Sequence, residues 1–137
     1  MSSMDAEALI KKHEGYRDVI YLDSLGIPTL GWGHALHIGS KVPIEVSGKF
    51  FEQDFKEALR NYDSLEFPRD VTDEIKAVIL DMLFNLGLTR FKGFKNFIAA
   101  VRRLDREGMV YHMMQSKWAE QVGSRATEDR DIILKGG

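Results

Sequence analysis

The chain has 137 residues, which fits one domain, and 44% of them are hydrophobic, enough for a core without covalent staples. It contains no cysteine, which excludes a disulfide scaffold, a cysteine nucleophile and a thiolate metal site. With 19 basic and 21 acidic residues its net charge is −2, so charge alone argues for neither nucleic acid nor membrane as a partner. No apolar run approaches the roughly 20 residues of a membrane span, and the polar start predicts no cleaved signal peptide.

The first element in chain order is a short helix over residues 4–13. Ser2 or Ser3 can cap its start, because a hydroxyl oxygen accepts a hydrogen bond from the first unpaired N–H groups. Gly15 is a natural stop.

A small antiparallel sheet is predicted next, because β-branched and aromatic residues alternate with glycines between residues 16 and 39. Strands are expected at residues 17–22 and 28–32, separated by turn residues at Asp23 and Gly26. A third strand is expected near residues 36–38.

From Pro43 onward the hydrophobic period becomes helical and predicts a helix over about residues 44–61. Thr72 has the character of an N-cap, and the widest apolar face of the chain follows it. This face predicts the central buried helix, which we expect to end at Gly87.

Three further helices are predicted in the C-terminal part of the chain. The first begins at Phe94 and ends near Gly108, the second covers residues 109–118, and the third covers residues 125–134 after a cap at Ser124. Together with the sheet, these helices define an α+β fold with the sheet near one end.

Several motifs are too weak to support a function. Gly31 and Gly33 begin a dinucleotide fingerprint, but its third glycine would fall on Leu36. His34, His37 and His13 are candidate metal ligands, yet they do not share one helix face, so we predict no metal site and no cofactor. No serine lies in a nucleophile-elbow context.

One pair of carboxyls has the spacing of a catalytic site. Glu14 closes the first helix, Asp23 follows nine residues later at a turn, and Thr29 opens the second strand. Glycosidic cleavage needs one carboxyl as a proton donor and another in ionised form. On spacing alone, however, a Glu–Asp pair nine residues apart is almost always two surface carboxylates.

The surrounding residues resemble a known family. Residues 13–34, HEGYRDVIYLDSLGIPTLGWGH, are similar to the active-site segment of the phage-type lysozymes, glycoside hydrolase family 24. Their pattern is Glu-Gly, an Arg two residues on, Tyr-x-Asp, then Thr-x-Gly-x-Gly-His. The similarity continues through Phe51–Asp54, Met82–Gly87, Ser116–Trp118 and Arg125-Ala126, so it covers nearly the whole chain.

This resemblance implies roles for individual residues. Glu14 corresponds to the general acid, Asp23 to the carboxylate that activates the attacking water, and Thr29 to the residue that helps hold that water. The implied substrate-binding residues are Phe84, His34 and Arg125. The resemblance also implies an ion pair between Arg125 and Glu14.

Each of these residues also has an ordinary structural explanation. Thr29 suits a strand, His34 can be a structural histidine, and Arg125 can lie on the surface. Aromatic residues that might bind sugars are expected in the core instead, namely Trp118, Phe94 and Phe97, while Trp32 fits either role. His112, Phe97 and Ala35 differ from some relatives, which leaves individual sugar contacts open.

The resemblance implies an endolysin muramidase that hydrolyses the β-1,4 bond between N-acetylmuramic acid and N-acetylglucosamine, with inversion. It implies a sheet lobe of about residues 14–43, a connecting helix of about 44–61, and a helical lobe of about 70–137 on which the N-terminal helix packs. We expect a trimmed sheet lobe, since the segment between His34 and Pro43 is short.

The expected partner is bacterial peptidoglycan, with no nucleic acid, and the protein is expected to be a monomer. Synthesis in the host cytoplasm and holin-dependent release to the wall are implied. A lytic transglycosylase and a non-catalytic wall-binding helical module are the alternatives. Asp23 and Thr29 argue against the transglycosylase, which needs no attacking water.

Basic residues are concentrated in one segment. Residues 90–106 hold six of them, whereas residues 1–89 have a net charge of −6. This segment predicts either contact with an anionic wall polymer or a solvated helix face.

Overall fold

The computed structural model describes residues 5–135 and has an α+β fold. It divides into two compact units, Met1–Ile44 and Glu45–Gly137. Within the described residues there are seven helices and a three-stranded antiparallel sheet, which confirms the α+β class that the sequence predicts. No helix in this part of the chain is long and apolar enough to cross a membrane. The lobe boundaries and the packing of the N-terminal helix stay predictions.

The first unit begins with helix α1, Ala6–Glu14, which starts two residues later than the sequence predicts. Its N-cap is Asp5, whose side chain accepts a hydrogen bond from the Ala8 N–H at 3.2 Å. The expected caps Ser2 and Ser3 lie outside the described residues.

The sheet has the order β1-β2-β3, formed by Arg17–Leu22, Pro28–Gly31 and His34–Ala35. The third strand was expected near residues 36–38 and this position is wrong. Only Trp32 and Gly33 separate β2 from β3, so pairing begins at once, with Leu30 opposite His34. Positive φ angles of 64° at Gly31 and 72° at Gly33 make this tight turn.

The second unit is helical. Its elements are α2 (Ile44–Ser64), α3 (Asp73–Lys92), α4 (Lys95–Arg102), α5 (Arg106–Met114), α6 (Lys117–Val122) and α7 (Ser124–Lys135). Thr72 caps α3 as predicted, accepting a hydrogen bond from the Ile75 N–H at 3.2 Å. α2 continues three residues past its expected end at residue 61.

The core of the second unit is built from the apolar faces of these helices. The central helix supplies the largest share, as its periodicity predicts. The fully buried large side chains are Phe91, Phe97, Ile79, Met82, Leu83, Met109, Met113, Ile133, Val78 and Val101. Burial on this scale is the main favourable contribution to the free energy of folding.

Helix boundaries differ from the predictions where capping overrides periodicity. Gly87 interrupts α3 with φ 77° and ψ 165°, but helical structure then resumes to residue 92. The helix expected to run from residue 94 to near Gly108 stops at residue 102, and Asp105 caps a new helix by accepting from the Gly108 N–H at 3.0 Å. Ser116 likewise divides the helix expected over 109–118.

Candidate active site

Glu14 is the last residue of α1, and its carboxyl lies against the turn between β2 and β3. Gly15, with φ 69°, ends the helix by donating its N–H to the Lys11 carbonyl at 2.9 Å. A methyl group placed on Gly33 would overlap Glu14 Oε2 and lie 2.7 Å from Glu14 Cδ. The Glu14 carboxyl therefore occupies space that only a glycine leaves free.

Aromatic contacts fix the same turn. The rings of Tyr16 and Trp32 are 4.7 Å apart at 50°. The Lys11 ammonium lies 4.8 Å from the centre of the Trp32 ring, a cation–π contact. Trp32 thus joins the turn to the end of α1. The sequence leaves open whether this residue is a structural or a sugar-binding aromatic residue, and its contacts with Tyr16 and Lys11 are structural.

Asp23 occupies the turn at the other end of the β1–β2 hairpin. Its Oδ1 accepts hydrogen bonds from the Leu25 N–H at 2.8 Å and the Ile27 N–H at 2.9 Å. Its own N–H donates to the Ile27 carbonyl at 3.0 Å. The turn therefore uses Oδ1 and holds the carboxylate in one orientation.

Thr29 is buried in β2, where it pairs with Tyr21, and its side chain is only 3% exposed. Its hydroxyl donates to the Ile27 carbonyl at 2.8 Å. The Asp23 carboxylate accepts from the N–H of Ile27 and the Thr29 hydroxyl donates to the carbonyl of Ile27, so both side chains are anchored on the backbone of one residue. The hydroxyl oxygen keeps its lone pairs for accepting another hydrogen bond.

His34 begins β3 and is exposed. It belongs to the first unit together with Glu14, Asp23 and Thr29. The four residues are thus all carried by α1 and the small sheet.

Phe84 and Arg125 belong to the second unit. Phe84 is 39% exposed, and its ring lies 5.4 Å from that of Phe51 on α2. The Phe51 ring stacks in turn on Phe55 at 5.9 Å. These three residues form a row of partly exposed aromatic side chains along α2 and α3.

Arg125 is held by the carboxylate of Asp81, which no pattern in the sequence indicates. Its Nε donates to Asp81 Oδ2 at 3.0 Å and its Nη2 to Asp81 Oδ1 at 2.7 Å, a bidentate pair. The expected partner, Glu14, belongs to the other unit, and the partner that the structure shows is Asp81. This pair ties α7 to α3.

A second carboxyl, that of Asp129, lies beside the Arg125–Asp81 pair, and only 5% of the surface of Asp129 is exposed. Burial, followed by the hydrogen bond and charge of Asp81, raises the pKa of Asp129 to about 8. Burial also raises the pKa of Asp81, but hydrogen bonds from Arg125 and Asp129 outweigh it and hold that pKa below its usual value. The raised pKa favours the protonated form of Asp129 beside an ionised Asp81 at neutral pH.

The sequence does contain a signal for Asp129. It lies at the helical spacing of the buried face of α7, between Ala126 and Ile133. An acidic residue on a buried face needs either a partner or a proton, because an unpaired buried charge is costly.

The basic segment 90–106 does not act as one surface. Arg102 donates to the Leu65 carbonyl at 2.8 Å and the Glu66 carbonyl at 3.2 Å, and its guanidinium lies 5.0 Å from the centre of the Phe67 ring. This arginine satisfies carbonyls just past the end of α2 and is structural.

A surface cavity of about 590 Å³ collects other cations of the second unit. Arg90, Lys95 and Lys117 line it, together with the imidazole of His112. Its inner wall includes Trp118, which is buried and donates its indole N–H to Asn85 Oδ1 at 2.8 Å. Such a cavity favours an anionic partner.

The aromatic residues expected in the core are found there. Phe97 and Trp118 are 1% and 4% exposed, and Phe94 is half-buried. Phe94 contacts Trp118 edge to face at 6.4 Å. The described residues contain no group of three His, Cys, Asp or Glu arranged to hold a metal ion.

The sequence matches a family model. Residues 11–129 fit the model described as Phage lysozyme, so the chain belongs to the phage lysozyme family. The matched range includes every candidate site residue named above.

A curated relative points in the same direction. It is the peptidoglycan hydrolase gp36 of Pseudomonas phage phiKMV, which is 28% identical to this chain over 123 residues. The match covers 85% of this chain but only 14% of gp36. This chain therefore corresponds to a small part of that longer protein.

Proposed function

We propose that this chain is an endolysin muramidase of glycoside hydrolase family 24 that cuts the β-1,4 bond between N-acetylmuramic acid and N-acetylglucosamine. The observation that carries the proposal is the different setting of two carboxyls on the β1–β2 hairpin and the helix before it. Glu14 rests on the backbone at Gly33, whereas Asp23 is bound through Oδ1 by two backbone N–H groups. Membership of the phage lysozyme family and the similarity to gp36, a peptidoglycan hydrolase, support peptidoglycan hydrolysis.

In this mechanism Glu14 gives its proton to the glycosidic oxygen as the bond to the leaving sugar breaks. Asp23 accepts a proton from the water that attacks the anomeric carbon. Because Oδ1 already accepts two hydrogen bonds from the turn, we assign Oδ2 as the atom that accepts the proton of the water. Thr29 donates its own proton to the Ile27 carbonyl, so its hydroxyl oxygen acts as an acceptor for the same water.

Attack by a water bound to Asp23 and Thr29 before the bond breaks would invert the anomeric carbon. Direct attack on the β-linkage yields the α-anomer first and forms no covalent intermediate with the enzyme. Proton NMR of freshly released oligosaccharide, read before mutarotation, tests this step. Early β-product, or transfer to an added acceptor sugar, would assign Asp23 as a nucleophile instead.

We assign substrate binding to Phe84, His34 and Arg125. The proposal extends to a monomer that is made in the host cytoplasm, reaches the wall through a holin and acts on peptidoglycan. The cavity lined by Arg90, Lys95 and Lys117 supports an anionic polymer as the substrate.

The test is the digestion of purified peptidoglycan by the purified chain, with clearing of permeabilised cells as a second readout. New reducing ends support the proposal. Wall binding without any released ends would make the chain a non-catalytic module, and anhydro ends would make it a lytic transglycosylase.

A further inference from the structure

We infer that Gly33 is a positioning residue for the general acid, because the missing side chain at Gly33 leaves the space in which the Glu14 carboxyl lies. The inference rests on the proposed role of Glu14 as proton donor. Gly33 itself touches no substrate atom in this proposal and acts only through Glu14.

The contact is close and involves the whole carboxyl end of Glu14. A Cβ at Gly33 would overlap Oε2 and lie 2.7 Å from Cδ and 3.2 Å from Cγ. Side-chain carbons do not approach one another this closely, so a residue with a Cβ must displace one of the two groups.

The group that moves is the carboxyl rather than the turn. The turn is held by its pairing of Leu30 with His34 and by the contacts of Trp32 with Tyr16 and Lys11. The Glu14 carboxyl is the far end of a flexible side chain. An alanine at position 33 therefore leaves the hairpin formed and shifts the acid.

Gly31 provides a matched control in the same turn. Its φ of 64° is close to the 72° of Gly33, so a Cβ at either position meets similar backbone strain. A Cβ on Gly31, however, meets no atom within 4 Å. The difference between Gly33→Ala and Gly31→Ala isolates the contact with Glu14.

The expected effect is on kcat. A displacement of about 1 Å in a catalytic group can cost about 10²-fold in rate, while sugar contacts elsewhere are unchanged. We expect Gly33→Ala to lower kcat by about 10²-fold relative to Gly31→Ala, with the same KM. Thermal melting sets the folded fraction of each variant before the rates are compared.

Two further measurements separate positioning from folding. The carboxyl carbon resonance of Glu14 should move in Gly33→Ala and stay in place in Gly31→Ala, a readout that needs no activity. In a Glu14→Gln background, Gly33→Ala should add no further loss of rate. Gly33→Asn serves if the alanine variant does not fold, because asparagine tolerates positive φ yet has a Cβ.

Equal kcat in Gly33→Ala and Gly31→Ala, with an unmoved Glu14 resonance, would overturn the inference. A Glu14→Gln variant with full activity is a different failure, because it removes the proposed role of Glu14 whatever Gly33 does.

Discussion

At the scale of single residues, two carboxyls are held by different means. The Glu14 carboxyl is packed on a glycine of a tight turn, and the Asp23 carboxylate is fixed by N–H groups of its own turn. The Thr29 and Asp23 side chains are both hydrogen-bonded to the backbone of Ile27, Thr29 to its carbonyl and Asp23 to its N–H. Such different settings allow two similar groups to act as acid and base in one reaction.

Glu14→Gln should keep the fold and lower the rate of peptidoglycan cleavage by about 10³-fold, since general acid catalysis supplies about 10²–10⁴-fold. Glu7→Gln is the control, because Glu7 lies on the same helix and forms only an exposed pair with Lys11 at 3.1 Å. Rates on purified peptidoglycan and melting curves check both variants. An unchanged rate in Glu14→Gln contradicts its role as acid.

Two substitutions separate the effect of the Thr29 hydroxyl from the effect of its branched side-chain shape. Thr29→Val keeps the branched side chain but loses the bond to the Ile27 carbonyl and the acceptor for water, so we expect kcat to fall by about tenfold or more, the cost of one to two hydrogen bonds. Thr29→Ser keeps the hydroxyl and should stay within a few-fold of the wild type. Equal activity of the valine and serine variants would show that Thr29 is only a strand residue.

The resemblance to the phage-type lysozymes indicates Glu14, Asp23 and Thr29, because these residues fall in the motif that carries it. The sequence did not predict Asp81 as the partner of Arg125, because residues 44 positions apart meet only once helices α3 and α7 pack. The contact of Gly33 with Glu14 was missed for the same reason, although the two belong to one motif.

At the scale of elements, caps decide where helices end. Asp105 and Ser116 each begin a helix inside a stretch that periodicity assigns to one helix. Periodicity reports only the buried face, and consecutive short helices can present one continuous face to the core. The cap residues are visible in the sequence, but short polar residues are too common for their presence to predict a break.

The contact between α3 and α7 should make stability depend on pH through Asp129. Its unfolded pKa is about 3.9 and its folded pKa about 8, so the folded state binds the extra proton. The free energy of unfolding should therefore fall as pH rises from about 4 to about 8, by at most about 1.4 kcal/mol per pH unit. Arg125 and ionised Asp81 and Glu128 are the charges facing Asp129.

Asp129→Asn keeps a donor towards Asp81 but cannot ionise, so its unfolding free energy should lose this slope. Asp131→Asn is the control, because Asp131 lies on the same helix, partly exposed and paired with Arg130 at 3.1 Å. Urea unfolding at several pH values between 5 and 9 measures the slopes. Identical slopes in the wild type and Asp129→Asn would show that Asp129 is ionised in the folded state.

At the scale of the whole molecule, the sequence predicts the α+β class and the family. The sheet pattern between helical patterns and the long motif can both be recognised without knowing which residues are in contact. The substrate-facing surfaces are harder to predict. The basic segment mixes a structural residue, Arg102, with residues such as Arg90 and Lys95 that line a cavity. Only packing distinguishes them.

If the cavity cations contact the wall, peptidoglycan cleavage should slow as salt is added, because salt screens exposed charges. Lys95→Gln combined with Lys117→Gln should flatten that dependence. Lys56→Gln combined with Lys135→Gln, at exposed positions outside this cavity, should not. If the cleavage rate of both double variants depends equally on salt concentration, the cations of the cavity are solvated and do not contact the wall.

The most direct test of the central claim is digestion of peptidoglycan in ¹⁸O-labelled water, followed by mass spectrometry of the muropeptides. The account predicts reducing N-acetylmuramic acid ends, each with one ¹⁸O atom from the water that Asp23 activates, and none of them in Glu14→Gln beyond a trace. Anhydro ends without label, or no cleavage by the folded wild-type chain, would contradict it.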